Sequence, residues 1–282
     1  MTNSSAKLLV VLILLAGCAA PIKNKDPLAI VLPSQWIGNI DQAQFNEPSG
    51  IVFYPESETL FVVGDEGDIC EIQLDGALIR QKHIRNADFE GITFDPTTGF
   101  LYIAIEGQET IIEVDPKDLS VRREFAIQRT FNGDTLLAPG GQGIEAITFV
   151  PLADHPEGGL FYVANQSFSL DSKDDISAVF EIEVPLSSTS IEDQTARIAK
   201  HFHLGLTDLS GLHYNEERDS LYIISDAANV IMETTRSGRI LRAYAFPGDN
   251  QEGITLDNGG FLYIAQDSGG IIKFRWNAPE SR

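Results

Sequence analysis

The chain has 282 residues, 43% of them hydrophobic, with a net charge of −21 and two cysteines. That length suits one large domain with a real core. The charge argues against a nucleic-acid partner, since so negative a field repels phosphates and favours cations or basic partners. Two cysteines exclude a disulfide framework and a cysteine-rich zinc site.

Residues 1–17 read as a signal peptide: Lys7 precedes the apolar run from Leu8 to Leu15, which is too short to span a bilayer. The stretch Leu15-Ala16-Gly17-Cys18 matches the bacterial lipobox, in which the cysteine is acylated and becomes the new N-terminus. Acyl chains on Cys18 are expected to hold the protein at a membrane, each buried methylene contributing about 0.8 kcal/mol. Ala19 rather than Asp after that cysteine predicts an outer-membrane address in the bacterial cell envelope. Residues 18–27, with Pro21, Lys23, Lys25 and Pro27, read as a lipidated tether, and residues 278–282 as a short tail. Between them, residues 28–277 form the domain, expected to be soluble and monomeric.

Within the domain one pattern recurs five times, a polar start, a Gly or Ala, an apolar strand, a turn and an aromatic-rich strand. The copies begin at Glu47-Pro48-Ser49-Gly50-Ile51, Asp88-Phe89-Glu90-Gly91-Ile92, Gly143-Ile144-Glu145-Ala146-Ile147, Asp208-Leu209-Ser210-Gly211-Leu212 and Asn250-Gln251-Glu252-Gly253-Ile254. Their second strands include Leu60-Phe61-Val62-Val63 and Leu101-Tyr102-Ile103-Ala104, and turns such as Asp95-Pro96-Thr97-Thr98-Gly99 separate the two. Two further strands follow in most copies, as in Ile69 to Leu74 and Leu78 to Ile84. No segment shows a helical 3.6-residue period. The fold class expected is all-β: a five-bladed β-propeller of four-stranded antiparallel blades. The last copy stops one strand short at Trp276, and the apolar segment Leu28 to Trp36 is expected to supply its outer strand, closing the ring. Pro33 within that segment suits an edge strand. Cys70 reads as a strand filler with no activating partner.

The run from Glu47 to Glu106, with its Ser-Gly-Ile opening, its Leu-Phe-Val-Val-Gly-Asp-Glu strand and its Phe-Glu-Gly-Ile-Thr-Phe restart, resembles the SdiA-regulated (YjiK-like) domain family. The resemblance covers roughly residues 28 to 277. It implies a five-bladed propeller related to NHL-repeat propellers, a bound calcium ion and no established enzymatic activity. The third copy departs from the pattern, being stretched by Ala153 to Gly158 and Ser167 to Ser177.

In a propeller the start of each first strand and the end of each second strand share one face. That pairs Glu47 with Asp65, Glu90 with Glu106, Glu145 with Gln166, Asp208 with Asp226, and Glu252 with Asp267. So many carboxylates at one opening repel, raising their pKa values or requiring a cation. Oxygen ligands without His or Cys suit Ca²⁺. The candidate ligands are Glu90, Glu145 and Glu252, innermost, with Asp65, Glu106, Asp226 and Asp267; Ser49 and Ser210 take the inner position in the other copies. The competing reading is that these acids accept backbone N–H groups at the junctions between repeats. Among the five histidines only His201 and His203 are close in sequence, and His213 replaces the Thr or Val of other repeats near the axis. The segment from Arg129 to Gly143, with Leu136-Leu137, is expected to overhang a mouth as a binding loop.

Two functions fit. The first is a calcium-binding, lipid-anchored, non-catalytic module for a protein or small-molecule partner. The second is a calcium-dependent hydrolase of lactonase, esterase or phosphoesterase type, with a carboxylate or His213 moving the proton.

Overall fold

The computed structural model describes residues 30–139, 142–172, 175–188, 194–248 and 250–277. The signal peptide, Cys18, the whole tether and the C-terminal tail lie outside the described residues. Among those described there are only strands. Two precede the first repeat, β1 (Ile30–Val31) and β2 (Ser34–Asn39). The first repeat gives β3 (Pro48–Tyr54), β4 (Thr59–Gly64), β5 (Asp68–Ile72) and β6 (Leu78–His83). The second gives β7 (Phe89–Phe94), β8 (Leu101–Ile105), β9 (Thr110–Asp115) and β10 (Ser120–Ile127), followed by the hairpin β11 (Thr130–Phe131) and β12 (Asp134–Thr135). The third gives β13 (Ile144–Pro151), β14 (Gly159–Asn165), β15 (Val179–Glu183) and β16 (Thr195–Phe202). The fourth gives β17 (Gly211–Asn215), β18 (Ser220–Ser225), β19 (Val230–Thr235) and β20 (Ile240–Ala245), and the last gives β21 (Gln251–Leu256), β22 (Phe261–Gln266) and β23 (Gly270–Trp276).

Each repeat is an antiparallel meander, and the apolar cores lie between consecutive sheets. Strand β4 shows why its residues are apolar without interruption. Phe61 and Val63 pack on Phe89, Leu101 and Ile103 of the next repeat. Leu60 and Val62 pack on Tyr263, Ala265 and Ile271 of the last. A strand covered on both faces loses the usual alternation. The first strands pack in the order β3, β7, β13, β17, β21, with β21 also against β3. Their glycines are dictated by this approach: a Cβ on Gly50 would lie 2.2 Å from the Glu90 carbonyl oxygen, and one on Gly211 equally close to that of Glu252.

A cross-strand row recurs that the sequence reading did not pick out. An aromatic of the second strand faces a Glu of the third and a base of the fourth: Tyr102–Glu113–Arg123, Tyr162–Glu181–Lys200 and Tyr222–Glu233–Arg242. Buried Glu113 accepts the Tyr102 hydroxyl at 2.9 Å and is paired with Arg123. Removing one partner of such a pair strands a buried charge.

The sheet edges hold two departures from expectation. First, the N-terminal segment is two strands. β2 pairs antiparallel with β23, as the outer strand of the last repeat. β1 pairs parallel with β20 of the fourth. Pro33 sits at the corner between them rather than within an edge strand, its carbonyl accepting the Asn277 N–H and the Ser34 N–H turning back to the Leu32 carbonyl. A residue with fixed φ and no N–H is suited to that corner. Second, the fourth strands of the second and third repeats pair in parallel, Ala126 with Thr195 and Ile127 with Ala196, merging two quartets into one eight-stranded sheet. Cys70 is fully buried on β5 and free, its thiol pushed up by burial.

Candidate metal centre

The repeat geometry places the acids as the pairing predicts. In the second to last repeats the residue after the second strand donates its N–H to a carbonyl at the start of the first: Glu106 to Asp88, Gln166 to Gly143, Asp226 to Asp208 and Asp267 to Asn250. One face therefore collects both sets of side chains. Their arrangement is asymmetric. Asp65, Asp88 and Glu90 bring carboxylate oxygens within 4.8 Å of one another, and Glu90, Glu106 and Glu145 do the same. Four carboxyl groups thus converge around that of Glu90, the five coming from the first three repeats. Asp88 was not singled out from the sequence; its signal was its place two residues ahead of Glu90 at the opening of that copy.

Glu252, Asp226 and Asp267 belong to neither group. Asp226 accepts the Gln251 N–H at 2.9 Å. Asp208 accepts the Ala227 N–H at 2.9 Å. Both support the reading of junction acids as acceptors for backbone N–H groups, and Glu106 does double duty, accepting the Gly143 N–H at 3.0 Å. On this side of the mouth, Glu252 Oε2 and Asp267 Oδ1 are buried without a hydrogen-bond partner. The serines at the inner position are occupied: Ser49 donates to Asp65, and Ser210 to the Gln251 carbonyl at 2.6 Å.

Burial dominates the electrostatics. It raises Glu90 well above the usual carboxyl range, and the Glu145, Asp65 and Asp88 charges add to it. Glu145 is raised by burial and then by Glu106. Glu252 is raised by burial and then by Glu145. Asp88 is pushed up to about 6, by burial and by sharing a hydrogen bond with Glu106. Desolvated acids with mainly acids for neighbours must keep protons or take a cation. The donor set, carboxylate oxygens with no imidazole or thiolate, fits a hard divalent ion.

Of the segment from Arg129 to Gly143, the described residues are built into the fold. Arg129 is paired with Glu109 and donates to the Gly107 carbonyl at 3.0 Å. Leu136 and Leu137 are buried in the core between the second and third repeats. Its leucines are therefore packing residues and not ligand contacts.

Beyond the acids, the first strands converge on an apolar waist. Ile51, Ile92, Ile147, Leu212 and Ile254 are all buried and surround a void of only about 10 Å³. A space of that size holds at most one water. The acidic mouth is a closed cup.

The model of the SdiA-regulated family matches residues 32–274. The chain belongs to the SdiA-regulated family. Solved structures resemble this SdiA-regulated chain in fold. The glutaminyl cyclase of Myxococcus xanthus shares 11% identity over 88% of this chain and 97% of its own, with a TM-score of 0.60. A β-propeller domain from Myceliophteria thermophila shares 11% identity over 86% and 99%, with a TM-score of 0.48. A gluconolactonase from Xanthomonas campestris shares 15% identity over 90% and 91%, with a TM-score of 0.49. No curated protein matches the SdiA-regulated chain in sequence. It is an all-β propeller protein with a buried acidic cluster able to hold a metal ion.

Proposed function

We propose that the chain is a calcium-binding propeller of five four-stranded blades, its ring closed by β2, that serves as a binding module for a protein or small molecule. In this reading Cys18 carries the lipid that anchors it at the bacterial outer membrane. The observation that carries the calcium assignment is the convergence of Asp65, Asp88, Glu90, Glu106 and Glu145, with Glu90 and Glu145 buried, the pKa values of Asp65, Asp88, Glu90 and Glu145 raised by desolvation, and no base among them. Ca²⁺ accepts six to eight oxygens in irregular geometry, which a cluster drawn from three repeats supplies more readily than the octahedron Mg²⁺ demands. When bound, the ion would cancel the repulsion that burial enforces.

The non-catalytic role is favoured over the hydrolase by the position of His213. It follows Leu212 on β17 and so lies beyond the waist from the carboxylates. A base there does not reach a substrate held on the ion.

Calorimetric titration of the purified protein with calcium tests the metal assignment. Stoichiometric binding that disappears in the Glu90→Gln variant is expected; absence of heat at millimolar calcium would sink it. Mass spectrometry of the mature N-terminus, comparing the native chain with Cys18→Ser, tests the anchor.

A further inference from the structure

The strand position just past the waist is Val52, Thr93, Thr148, His213 and Thr255 in the five repeats. The three threonines do the same job. Each hydroxyl accepts the N–H of the following repeat's first strand: Thr93 from Phe149, Thr148 from Tyr214 and Thr255 from Phe53, at 3.0–3.1 Å. His213 breaks that series. Its ring lies nearly parallel to Tyr222 with centroids 6.5 Å apart, and it has no hydrogen-bond partner among the described residues. Burial alone, with no acid beside it, lowers its pKa to about 4, so the imidazole is neutral at physiological pH. The ring is half-buried, so its nitrogens present a donor and an acceptor that a bound group can satisfy.

His213 looks into an open cavity of about 830 Å³ at the second mouth, walled by Phe53, Phe94, Phe149, Tyr214 and Trp276. Sites for small molecules fall in the range of roughly 300–1,000 Å³ and combine apolar walls with a few convergent polar groups.

We propose that this second mouth is a binding site for an uncharged, ring-bearing small molecule that hydrogen-bonds His213. Phe53, Phe149 and Trp276 are buried in the cores behind the wall, and half-buried Phe94 and Tyr214 supply the aromatic surface on which a ring packs. A neutral imidazole offers one donor and one acceptor. The net charge of −21 disfavours an anion, and the guanidinium that lines the cavity, Arg218, is paired with Glu233. A cation finds no free acid inside: Asp257 already accepts the Phe261 N–H and the Tyr263 hydroxyl, and Glu216 and Glu217 stand at the exposed rim. The waist makes this site independent of the acidic mouth.

Trp276 is one of two tryptophans, and Trp36 is exposed, so a Trp36→Phe background leaves a single reporter in the cavity wall. Dansylamide, an uncharged ring-bearing probe with an N–H donor, is titrated while energy transfer from Trp276 is followed. Saturable one-to-one transfer at micromolar probe is expected. His213→Thr, which restores the residue of the sister repeats, weakens it at least tenfold without lowering Tm at neutral pH. His213→Gln keeps a donor and an acceptor and retains most of the binding, and Glu145→Gln leaves it unchanged. Absence of saturable transfer, the result for a cavity that holds only water, overturns the proposal. So does equal affinity in the His213→Thr protein.

Discussion

The two mouths of the molecule are made from the same strands yet are opposite in character. At one end of the first strands the repeats converge through Asp88, Glu90 and Glu145; at the other they end in Phe53, Phe94 and Phe149 around His213. The acidic mouth gathers like charges that burial makes unwelcome, and the second mouth holds a base that burial keeps uncharged. Two residues along a strand suffice to pass from one regime to the other, because an apolar waist of five side chains stands between them. A repeat therefore specifies a frame, and single departures such as His213 specify chemistry within it.

The strongest way to break this contrast is to open the waist. Ile147→Ala removes a fully buried side chain and is expected to cost about 3–4 kcal/mol in urea unfolding. If the variant still folds, calcium and dansylamide binding, independent in the parent, become linked. Calcium sharpens the contrast from the acidic side. At a hundredfold excess over its Kd it adds about 2.7 kcal/mol, or roughly 5–10 °C in Tm for a domain of this size, and EDTA reverses the shift. Combining Glu90→Gln with Glu145→Gln abolishes that response and raises the Tm of the metal-free protein at pH 8, since it removes two repelling charges.

Acid–base titration of stability reads both mouths at once. Asp88, Glu90 and Glu145 have raised folded-state pKa values, so their contribution is complete below about 4. It is lost as pH rises through about 6 for Asp88 and through the raised pKa values of the two glutamates. His213 has the opposite sense: the unfolded chain takes its proton first, so stability falls as pH drops from about 6.5 to about 4. The His213→Thr variant loses that acid-side slope, worth on the order of 2 kcal/mol. A parent and variant with identical slopes between pH 6.5 and 4 would contradict a buried neutral imidazole. The smallest effect expected is that of Thr148→Val, which leaves the Tyr214 N–H without its acceptor and costs about 1–2 kcal/mol by thermal melts.

The repeats were legible because packing leaves no choice at Gly50 and Gly211, where a neighbouring backbone occupies the space of a side chain. The pairing of acids on one face was legible for the same reason, since strand polarity alone sets it. What the sequence did not disclose was the split of the acids. Asp226 and Glu252 occupy repeat positions equivalent to Glu106 and Glu90, but among the described residues only the first three repeats supply a close cluster. That depends on which oxygen meets a backbone N–H and which meets another carboxyl, a matter of tertiary register. The rows of Tyr, Glu and a base were hidden likewise. Register shifts at Val121/Arg123 and Glu233/Thr234 displace the fourth strand from simple hairpin spacing. The β10–β16 pairing has no local signal, because it joins segments nearly seventy residues apart, as Ala126 and Thr195 show.

That parallel seam bears on aggregation. The outermost strand of a sheet offers unpaired N–H and C=O groups on which another chain can add, and two such edges here satisfy part of each other instead. The edge β6 is defended differently. Arg80 and Lys82 reach over to the Pro116, Lys117, Asp118 and Leu119 carbonyls of the next repeat, setting positive charge where an incoming strand would dock. With Leu78 and Ile79 exposed on that same strand, those two bases are the gatekeepers against edge-to-edge association at high concentration.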